Sequence, residues 1–129
     1  MSAPRVLVVD DNHMNLELVA FMLQAEAFDV ALAPNALAAH AQVQKRKPDL
    51  ILMDIQMPGM DGLALTQQLK SDPGTADIVV VAFTAYAMKG DEARMRAAGC
   101  DGYISKPIEV STFVGQVRAC MARNPWTVR

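Results

Sequence analysis

Short apolar runs recur along this chain, and the strongest of them end at a polar or ionisable residue. The runs span residues 6–9, 50–53 and 78–83, and they are followed by Asp10, Asp54 and Thr84. Short apolar runs that alternate with helical patterns are typical of strands in a parallel sheet buried on both faces. Because ligands bind at the carboxyl ends of such strands, we expect these polar side chains to meet at one site.

The order of the patterns predicts an α/β fold. Strand and helix patterns alternate five times, which favours a three-layer sandwich with a five-stranded parallel sheet and five helices. The flavodoxin-like strand order 2-1-3-4-5 is a common solution for such a chain. The first, third and fourth runs are the most apolar, which suits central strands, whereas the weaker second run at 28–32 suits a position nearer an edge.

The same patterns predict the element boundaries. Strands are expected near residues 5–10, 28–32, 49–53, 78–83 and 102–105. The first helix is expected near 13–26, and the second begins after Asn35 and ends in the basic cluster 45–47. The third follows the loop 58–62 and ends at Ser71, the fourth lies near 88–98 and the fifth near 109–122. Asn12 is a suitable N-cap for the first helix. The first helix is predicted to carry an apolar stripe of Leu16, Leu18, Val19, Met22 and Leu23, and the fifth to carry Val110, Phe113, Val117 and Met121 on one face.

Length, net charge and apolar content argue against several classes of protein. The 129 residues fit one domain, which we assign to 1–123 with a tail at 124–129. A net charge of −2 gives no general attraction to nucleic acid or to an anionic membrane, and no apolar run is long enough to predict a membrane span. The first residues lack the layout of a signal peptide, so we expect a cytoplasmic protein whose Cys100 and Cys120 are reduced and structural.

The polar residues at the strand ends predict a specific chemistry. Asp10, Asp11 and Asp54 bring three negative charges into one crevice, where a hard divalent cation relieves their repulsion. Asp54 has the position of a carboxylate nucleophile that attacks phosphorus. Lys106, after the fifth strand, offers an ammonium to a phosphoryl group, and Thr84 offers a hydroxyl donor.

Together these residues resemble the motifs of response-regulator receiver domains of two-component signalling. The matching segments are Val9-Asp10-Asp11-Asn12, Leu52-Met53-Asp54-Ile55-Gln56-Met57-Pro58, Thr84-Ala85 and Lys106-Pro107. The resemblance covers residues 5–121, and the joint spacing is specific although each segment alone is not. It implies a single-domain receiver that accepts a phosphoryl group on Asp54 from a histidine kinase or a histidine phosphotransfer protein and then signals to a protein partner.

The resemblance also implies a metal site. Asp11, Asp54 and the backbone carbonyl of Gln56 are expected to bind Mg²⁺, with Asp10 acting largely through water. Mn²⁺ fits the same oxygen ligands. A domain of this kind is not a conventional enzyme, but it catalyses its own phosphorylation and dephosphorylation.

A switch and a docking surface are implied in the same way. Thr84 and Lys106 are expected to bind the phosphoryl group, while Tyr103 turns inward and alters the face of the fourth helix, fifth strand and fifth helix. The alternative for Tyr103 is an edge aromatic with a solvated hydroxyl. Lys106–Pro107 is the candidate cis peptide bond. Candidate residues for docking a phosphohistidine helix bundle are Met14, Asn15, Leu18, Pro107 and Ile108.

Two alternative functions stay open at this stage. The chain could be a receiver excised from a hybrid histidine kinase or from a regulator with an output domain. An aspartyl-phosphate phosphatase is disfavoured, because such an enzyme needs a second acid two residues after the nucleophile, where Gln56 stands. No helix-turn-helix module follows the fifth helix, so direct binding of nucleic acid is not expected.

Overall fold

A computed structural model describes residues 3–55, 62–84, 89–106 and 108–121. Within these residues the strands are β1 (Arg5–Val9), β2 (Asp29–Ala33), β3 (Leu50–Asp54), β4 (Val79–Thr84) and β5 (Gly102–Ser105). The helices are α1 (His13–Ala25), α2 (Ala36–Lys45), α3 (Gly62–Ser71), α4 (Lys89–Ala98) and α5 (Phe113–Met121). The tail predicted at 124–129 lies outside the described residues. Among the helices described, none combines the length and apolar character needed to cross a bilayer.

The strands form one parallel sheet in the order β2-β1-β3-β4-β5, as the sequence predicts. The weakly apolar β2 lies at an edge, and the most apolar strands are central. The register pairs Val9 with Met53, Asp54 with Phe83, and Thr84 with Ser105. The carboxyl ends of β1, β3, β4 and β5 therefore lie side by side, and this edge of the sheet carries the polar residues.

Helices cover both faces of the sheet and divide the core in two. One core lies under α1 and α5, where Leu23, Phe83 and Phe113 are fully buried. The other lies under α2, α3 and α4, where Val43 and Met95 are buried. Successive residues of the central strands alternate between the two cores, as expected for a sheet buried on both faces. The predicted three-layer sandwich is confirmed.

The fifth helix begins later than the sequence predicts. A turn comes first, in which the carbonyl oxygen of Glu109 accepts hydrogen bonds from the backbone N–H groups of Thr112 and Phe113 at 3.1 and 2.9 Å. Val110, predicted within this helix on the face of Phe113 and Val117, is 72% exposed. Ile108 packs against the core between α1 and α5 instead.

The buried stripe of the first helix is narrower than predicted. Leu16, Val19, Met22 and Leu23 are buried. Leu18, which the sequence places on the same helical stripe, is 43% exposed. A surface helix buries only one stripe of its circumference, and Leu18 lies beyond the edge of that stripe. It lies instead with Met14 and Phe21 on the exposed side of α1, at spacings that place the three side chains on one face.

Two helices end in the same hydrogen-bonding pattern. After α1 and α4, the backbone N–H groups of Phe28 and Cys100 each donate to the carbonyl oxygen five residues earlier, at 3.0 Å. The residue just before each donor has a left-handed backbone, with φ of 68° at Ala27 and 104° at Gly99. This is the Schellman motif, in which glycine is the usual residue at the left-handed position. Ala27 therefore adopts a backbone conformation that glycine adopts more easily.

Candidate functional site

Three carboxylates meet at the carboxyl ends of two central strands. Asp10 directly follows β1, Asp54 is the last residue of β3, and both side chains are buried. Asp11 lies beside them and is exposed to solvent. One carboxylate oxygen from each residue lies within 4.8 Å of the other two. The structure thus brings together the three acids that the sequence places at strand ends.

Hydrogen bonds fix the orientation of Asp10. Its Oδ1 accepts from the backbone N–H of Asn12 at 2.9 Å, and its Oδ2 accepts from Nδ2 of Asn15 at 3.4 Å. Asn12 in turn caps α1, because its Oδ1 accepts from the backbone N–H of Asn15 at 3.1 Å. The predicted N-cap is confirmed, and it ties the start of α1 to the acidic cluster.

Lys106 supplies a positive charge to this cluster. Its Nζ lies 3.3 Å from Oδ2 of Asp10 and 3.4 Å from Oδ2 of Asp54. Its backbone N–H donates to the carbonyl oxygen of Thr84 at 2.7 Å, which ties the segment after β5 to the end of β4. The side chains of Asp10, Asp11 and Asp54 carry three negative charges, and Lys106 carries one positive charge. The remaining negative charge favours a cation at this position.

The chemistry of the donors fits a hard divalent cation. The three clustered ligand atoms are carboxylate oxygens, which Mg²⁺ prefers to nitrogen or sulfur, and Mn²⁺ accepts the same ligands. Asp11 is exposed to solvent, so water would have access to an ion held by the three carboxylates. Gln56, predicted to contribute a carbonyl ligand, and Pro107 of the predicted cis peptide lie outside the described residues.

Thr84 and Tyr103 lie on one face of the sheet. Thr84 is fully buried at the end of β4, and its strand neighbour Ala82 pairs with Tyr103 on β5. Side chains two residues apart on a strand point to the same side, and Ala82 belongs to the core under α2, α3 and α4. Tyr103 is half-buried against that core. The two residues predicted to form a switch are therefore neighbours on the face that α4 covers.

Sequence reasoning missed an aromatic ring beneath the charged cluster. The Nζ of Lys106 lies over the ring of Phe83, 5.1 Å from its centroid. The centroid of Phe83 is in turn 6.1 Å from that of Phe113, the first residue of α5. The available signal was an aromatic residue directly before Thr84, but the apolar pattern indicates only that Phe83 is buried in a strand.

The two thiols take no part in this site. Cys100 and Cys120 are free and buried, and they belong to the cores on opposite faces of the sheet. Burial raises the pKa of each thiol to about 11. A thiol that stays protonated is a poor nucleophile. The structure thus agrees with the expectation that both cysteines are structural.

Known proteins match this chain in sequence. The family model of the response regulator receiver domain matches residues 6–118. The chain belongs to this receiver family. The polar-differentiation response regulator DivK of Brucella anthropi is 43% identical over 114 residues, which cover 88% of this chain and 93% of that protein. DivK of Brucella melitensis is 42% identical over the same shares.

Solved receiver structures share the fold. A CheY-like receiver domain protein from Methanospirillum hungatei has a TM-score of 0.83 and 28% identity, over 94% of this receiver and 95% of that chain. The receiver domain of a sensor histidine kinase from Pseudomonas aeruginosa has a TM-score of 0.83 and 25% identity, over 94% of this chain and 99% of that domain. That structure holds a magnesium ion in its active-site cleft. Chemotaxis protein CheY4 of Vibrio cholerae, with a TM-score of 0.88 and 24% identity over 92% and 99%, shows the fold alone.

Proposed function

We propose that this receiver is a Mg²⁺-dependent phosphoacceptor switch of a two-component system or phosphorelay. Asp54 takes the phosphoryl group, and the donor is a phosphohistidine of a histidine kinase or a histidine phosphotransfer protein. The observation that carries the proposal is that Lys106 contacts both buried acids, Asp10 and Asp54, within a cluster of three carboxylates. A structural ion pair needs only one acid for its lysine, whereas binding a metal and a phosphoryl group requires the additional carboxylates.

The reaction is a displacement at phosphorus. A carboxylate oxygen of Asp54 forms a bond to phosphorus while the bond between phosphorus and the imidazole nitrogen breaks, and the imidazole leaves. Asp11 and Asp54, with the carbonyl of Gln56, would hold Mg²⁺, and Asp10 would act largely through water. When bound, the ion neutralises charge on the phosphoryl oxygens.

Lys106 can contact Asp54 before phosphorylation, in the resting pocket, and the added phosphoryl group afterwards. In the resting pocket its ammonium lies 3.4 Å from Oδ2 of Asp54, so it needs to move little to reach an oxygen of the added phosphoryl group. The flexible stem and single charge of lysine suit such an exchange of partners. Thr84, buried at the end of the neighbouring strand, provides a hydroxyl donor for another phosphoryl oxygen.

The signal then passes along the face that Thr84 shares with Tyr103. Phosphorylation adds about −1.5 to −2 charges and strong acceptor oxygens. As Thr84 moves towards the phosphoryl group, Tyr103 follows it into the space beneath α4. We propose that the surface of α4, β5 and α5 changes and is recognised by a downstream protein.

A test of this switch uses beryllofluoride, which mimics a phosphoryl group on a carboxylate. In the wild type, backbone amide resonances are expected to shift both around Asp54 and along α4, β5 and α5. In Tyr103→Ala the shifts around Asp54 persist while those on the distal face shrink. An unchanged response on the distal face would exclude Tyr103 from the switch.

The exposed face of α1 supports docking of a phosphohistidine helix. Met14, Leu18 and Phe21 are 78%, 43% and 72% exposed and form an apolar stripe, which we call the α1 stripe. Its near end adjoins the acidic cluster, because Asn15 contacts both Asp10 and the cap of α1. We propose that the donor packs a helix on this stripe and so directs its histidine at Asp54. Sequence reasoning identified Met14 and Leu18 but missed Phe21.

Phosphorylation by acetyl phosphate tests the proposed function. We expect a gain of one labile phosphoryl group, measured as intact mass, that requires Mg²⁺ and is absent from Asp54→Asn. Asp49→Asn is a matched control, because Asp49 lies just before β3, at the other end of the same strand, and is exposed. Equal gain in the wild type and in Asp54→Asn would show that Asp54 is not the acceptor.

The compartment is part of the same proposal. Cys100 and Cys120 are both free, as is usual in a reducing environment. We propose a cytoplasmic location, where a histidine kinase can reach the pocket. Neither the acidic pocket nor the α1 stripe has the basic character expected of a nucleic-acid contact.

A further inference from the structure

The ring of Phe83 forms one wall of the position that Lys106 occupies. The Nζ of Lys106 lies over this ring at 5.1 Å from the centroid, with Asp10 at 3.3 Å and Asp54 at 3.4 Å. The face of an aromatic ring attracts a cation within about 6 Å of its centroid. The ammonium is thus attracted by the ring as well as by the two carboxylates.

The ring itself is held in place. Phe83 is fully buried in the central strand β4, and its register partner is Asp54. Phe113 is also fully buried and packs against Phe83 with a centroid separation of 6.1 Å and an interplanar angle of 43°. The face that Phe83 presents to Lys106 therefore has little freedom to move.

From this geometry we infer that Phe83 is a positioning residue for Lys106, acting through a cation–π contact that holds the ammonium within reach of the phosphoryl group on Asp54. The inference rests on the proposed function, because it assumes that Lys106 acts on that phosphoryl group. Lysine has a long and flexible stem that gives it many competing positions. The ring favours the position in which the ammonium faces Asp54 and reduces the number of positions that lead into solvent.

The contact also links the site to α5. Phe113 is the first residue of α5, and its ring touches the ring over which Lys106 lies. A movement of Lys106 towards a phosphoryl group changes what the ring of Phe83 contacts. Phe113 packs against the same ring and is therefore the next side chain that such a change would reach. This path lies on the α1–α5 side of the sheet, whereas Thr84 and Tyr103 lie on the opposite side.

Stepwise fluorination of the Phe83 ring separates the electrostatic contact from packing. Each fluorine withdraws electrons from the ring face with a small change in volume, so cation–π attraction falls while burial is nearly kept. We expect the maximal rate of phosphorylation by acetyl phosphate to fall with each added fluorine, by about 2- to 30-fold over the series. A series in which the rate does not follow the number of fluorines would overturn the inference.

The same substitutions at Phe113 provide the matched control. Phe113 is as buried as Phe83 and belongs to the same core, and no cation lies over its ring among the contacts of the described residues. Fluorination there is expected to leave the maximal rate within about 2-fold while changing the melting temperature to a similar extent. An equal fall in rate at both positions would mean that Phe83 acts through packing alone.

A second readout does not depend on phosphorylation. The ring current of Phe83 is expected to move the ε-methylene proton resonances of Lys106 upfield, and Phe83→Leu abolishes this shift while Phe28→Leu, a change in the same core, preserves it. Absence of the upfield shift in the wild type would contradict the contact. If the wild type shows the shift but gains no phosphoryl group, the contact exists and the proposed function, with the role of Phe83 in it, is wrong.

Discussion

The ammonium of Lys106 lies 3.4 Å from Oδ2 of Asp54, although Lys106 follows β5, Asp54 ends β3, and β4 lies between those two strands. The lysine side chain spans the intervening strand by passing over the ring of Phe83. The position of the lysine ammonium therefore depends on the state of Asp54, which lies on a strand that is not adjacent to β5. Addition of a phosphoryl group to Asp54 is expected to change the position of Lys106 first.

Removing the ammonium should slow phosphorylation. Lys106→Gln loses the charge that faces the developing negative charge on the phosphoryl oxygens, and loss of one such group typically costs about 10²-fold or more in rate. The rate of mass gain with acetyl phosphate and Mg²⁺ measures this directly. Lys45→Gln is the control, because Lys45 is an exposed residue at the end of α2. A rate in Lys106→Gln that equals the wild-type rate would remove Lys106 from the mechanism.

A charge on the α1 stripe should impair transfer from a protein donor only. Phe21→Glu places a carboxylate where an apolar helix is proposed to pack, and losing the burial of one phenylalanine corresponds to about 10- to 100-fold in affinity. We expect slower transfer from a phosphorylated histidine phosphotransfer domain and an unchanged rate with acetyl phosphate.

The control for the α1 stripe lies on the next helix. Leu37 on α2 is 73% exposed, close to the 72% of Phe21, and Leu37→Glu likewise replaces an exposed apolar side chain with a carboxylate, but away from the stripe. Transfer from the protein donor should be normal in this variant. If both variants impair transfer equally, the α1 stripe is not the docking surface.

Lys70 should stabilise the end of the sheet opposite the site. Its Nζ donates to Oδ2 of Asp101 at 2.8 Å and to the carbonyl oxygen of Ile78 at 2.7 Å, and the same carboxylate accepts from the backbone N–H of Val80 at 2.8 Å. Lys70→Met leaves these partly buried acceptors without their charged donor. We expect a loss of about 1–3 kcal/mol in the free energy of unfolding, measured in urea.

An exposed ion pair between a lysine and an aspartate provides the comparison for Lys70. The Nζ of Lys47 lies 2.6 Å from Oδ1 of Asp77, and both side chains are largely exposed. Lys47→Met should cost at most about 1 kcal/mol, because solvent screens such pairs. Equal losses for the two variants would mean that the network around Lys70 contributes no more than a surface pair. Phosphorylation of Asp54 should proceed normally in both.

The two Schellman motifs predict opposite effects of alanine and glycine. Ala27→Gly relieves a left-handed backbone and should stabilise the fold by about 0.5–1 kcal/mol. Gly99→Ala should destabilise it by at least about 1 kcal/mol, because a Cβ there adds backbone strain and would lie 2.8 Å from Cγ of Lys70. Urea unfolding measures both changes, and a lower stability of Ala27→Gly would contradict this account of the end of α1.

Patterns along the chain were sufficient to predict the sheet. The buried runs of β1, β3 and β4 specify central strands, and Asp10, Asp54 and Lys106 converge because parallel strands end at one edge. These inferences need only local periodicity and the rules for parallel sheets.

Features that depend on side-chain placement were not predictable. Val110 fits a helical stripe, yet a turn at Glu109 precedes α5 and leaves Val110 in solvent. The apolar pattern shows that Phe83 is buried but not that Lys106 reaches over its ring, since Phe83 is on β4 and Lys106 follows β5. Burial follows from a one-dimensional pattern, whereas contacts across the sheet follow from register and rotamers.

The most direct test of the central claim is to locate the phosphoryl group. Borohydride reduces an aspartyl phosphate to homoserine, so the receiver would be treated with acetyl phosphate and Mg²⁺, reduced, digested and sequenced by tandem mass spectrometry. Homoserine at position 54, dependent on Mg²⁺, is the predicted result. Homoserine at position 10 or 11 with an unmodified Asp54 would contradict the account.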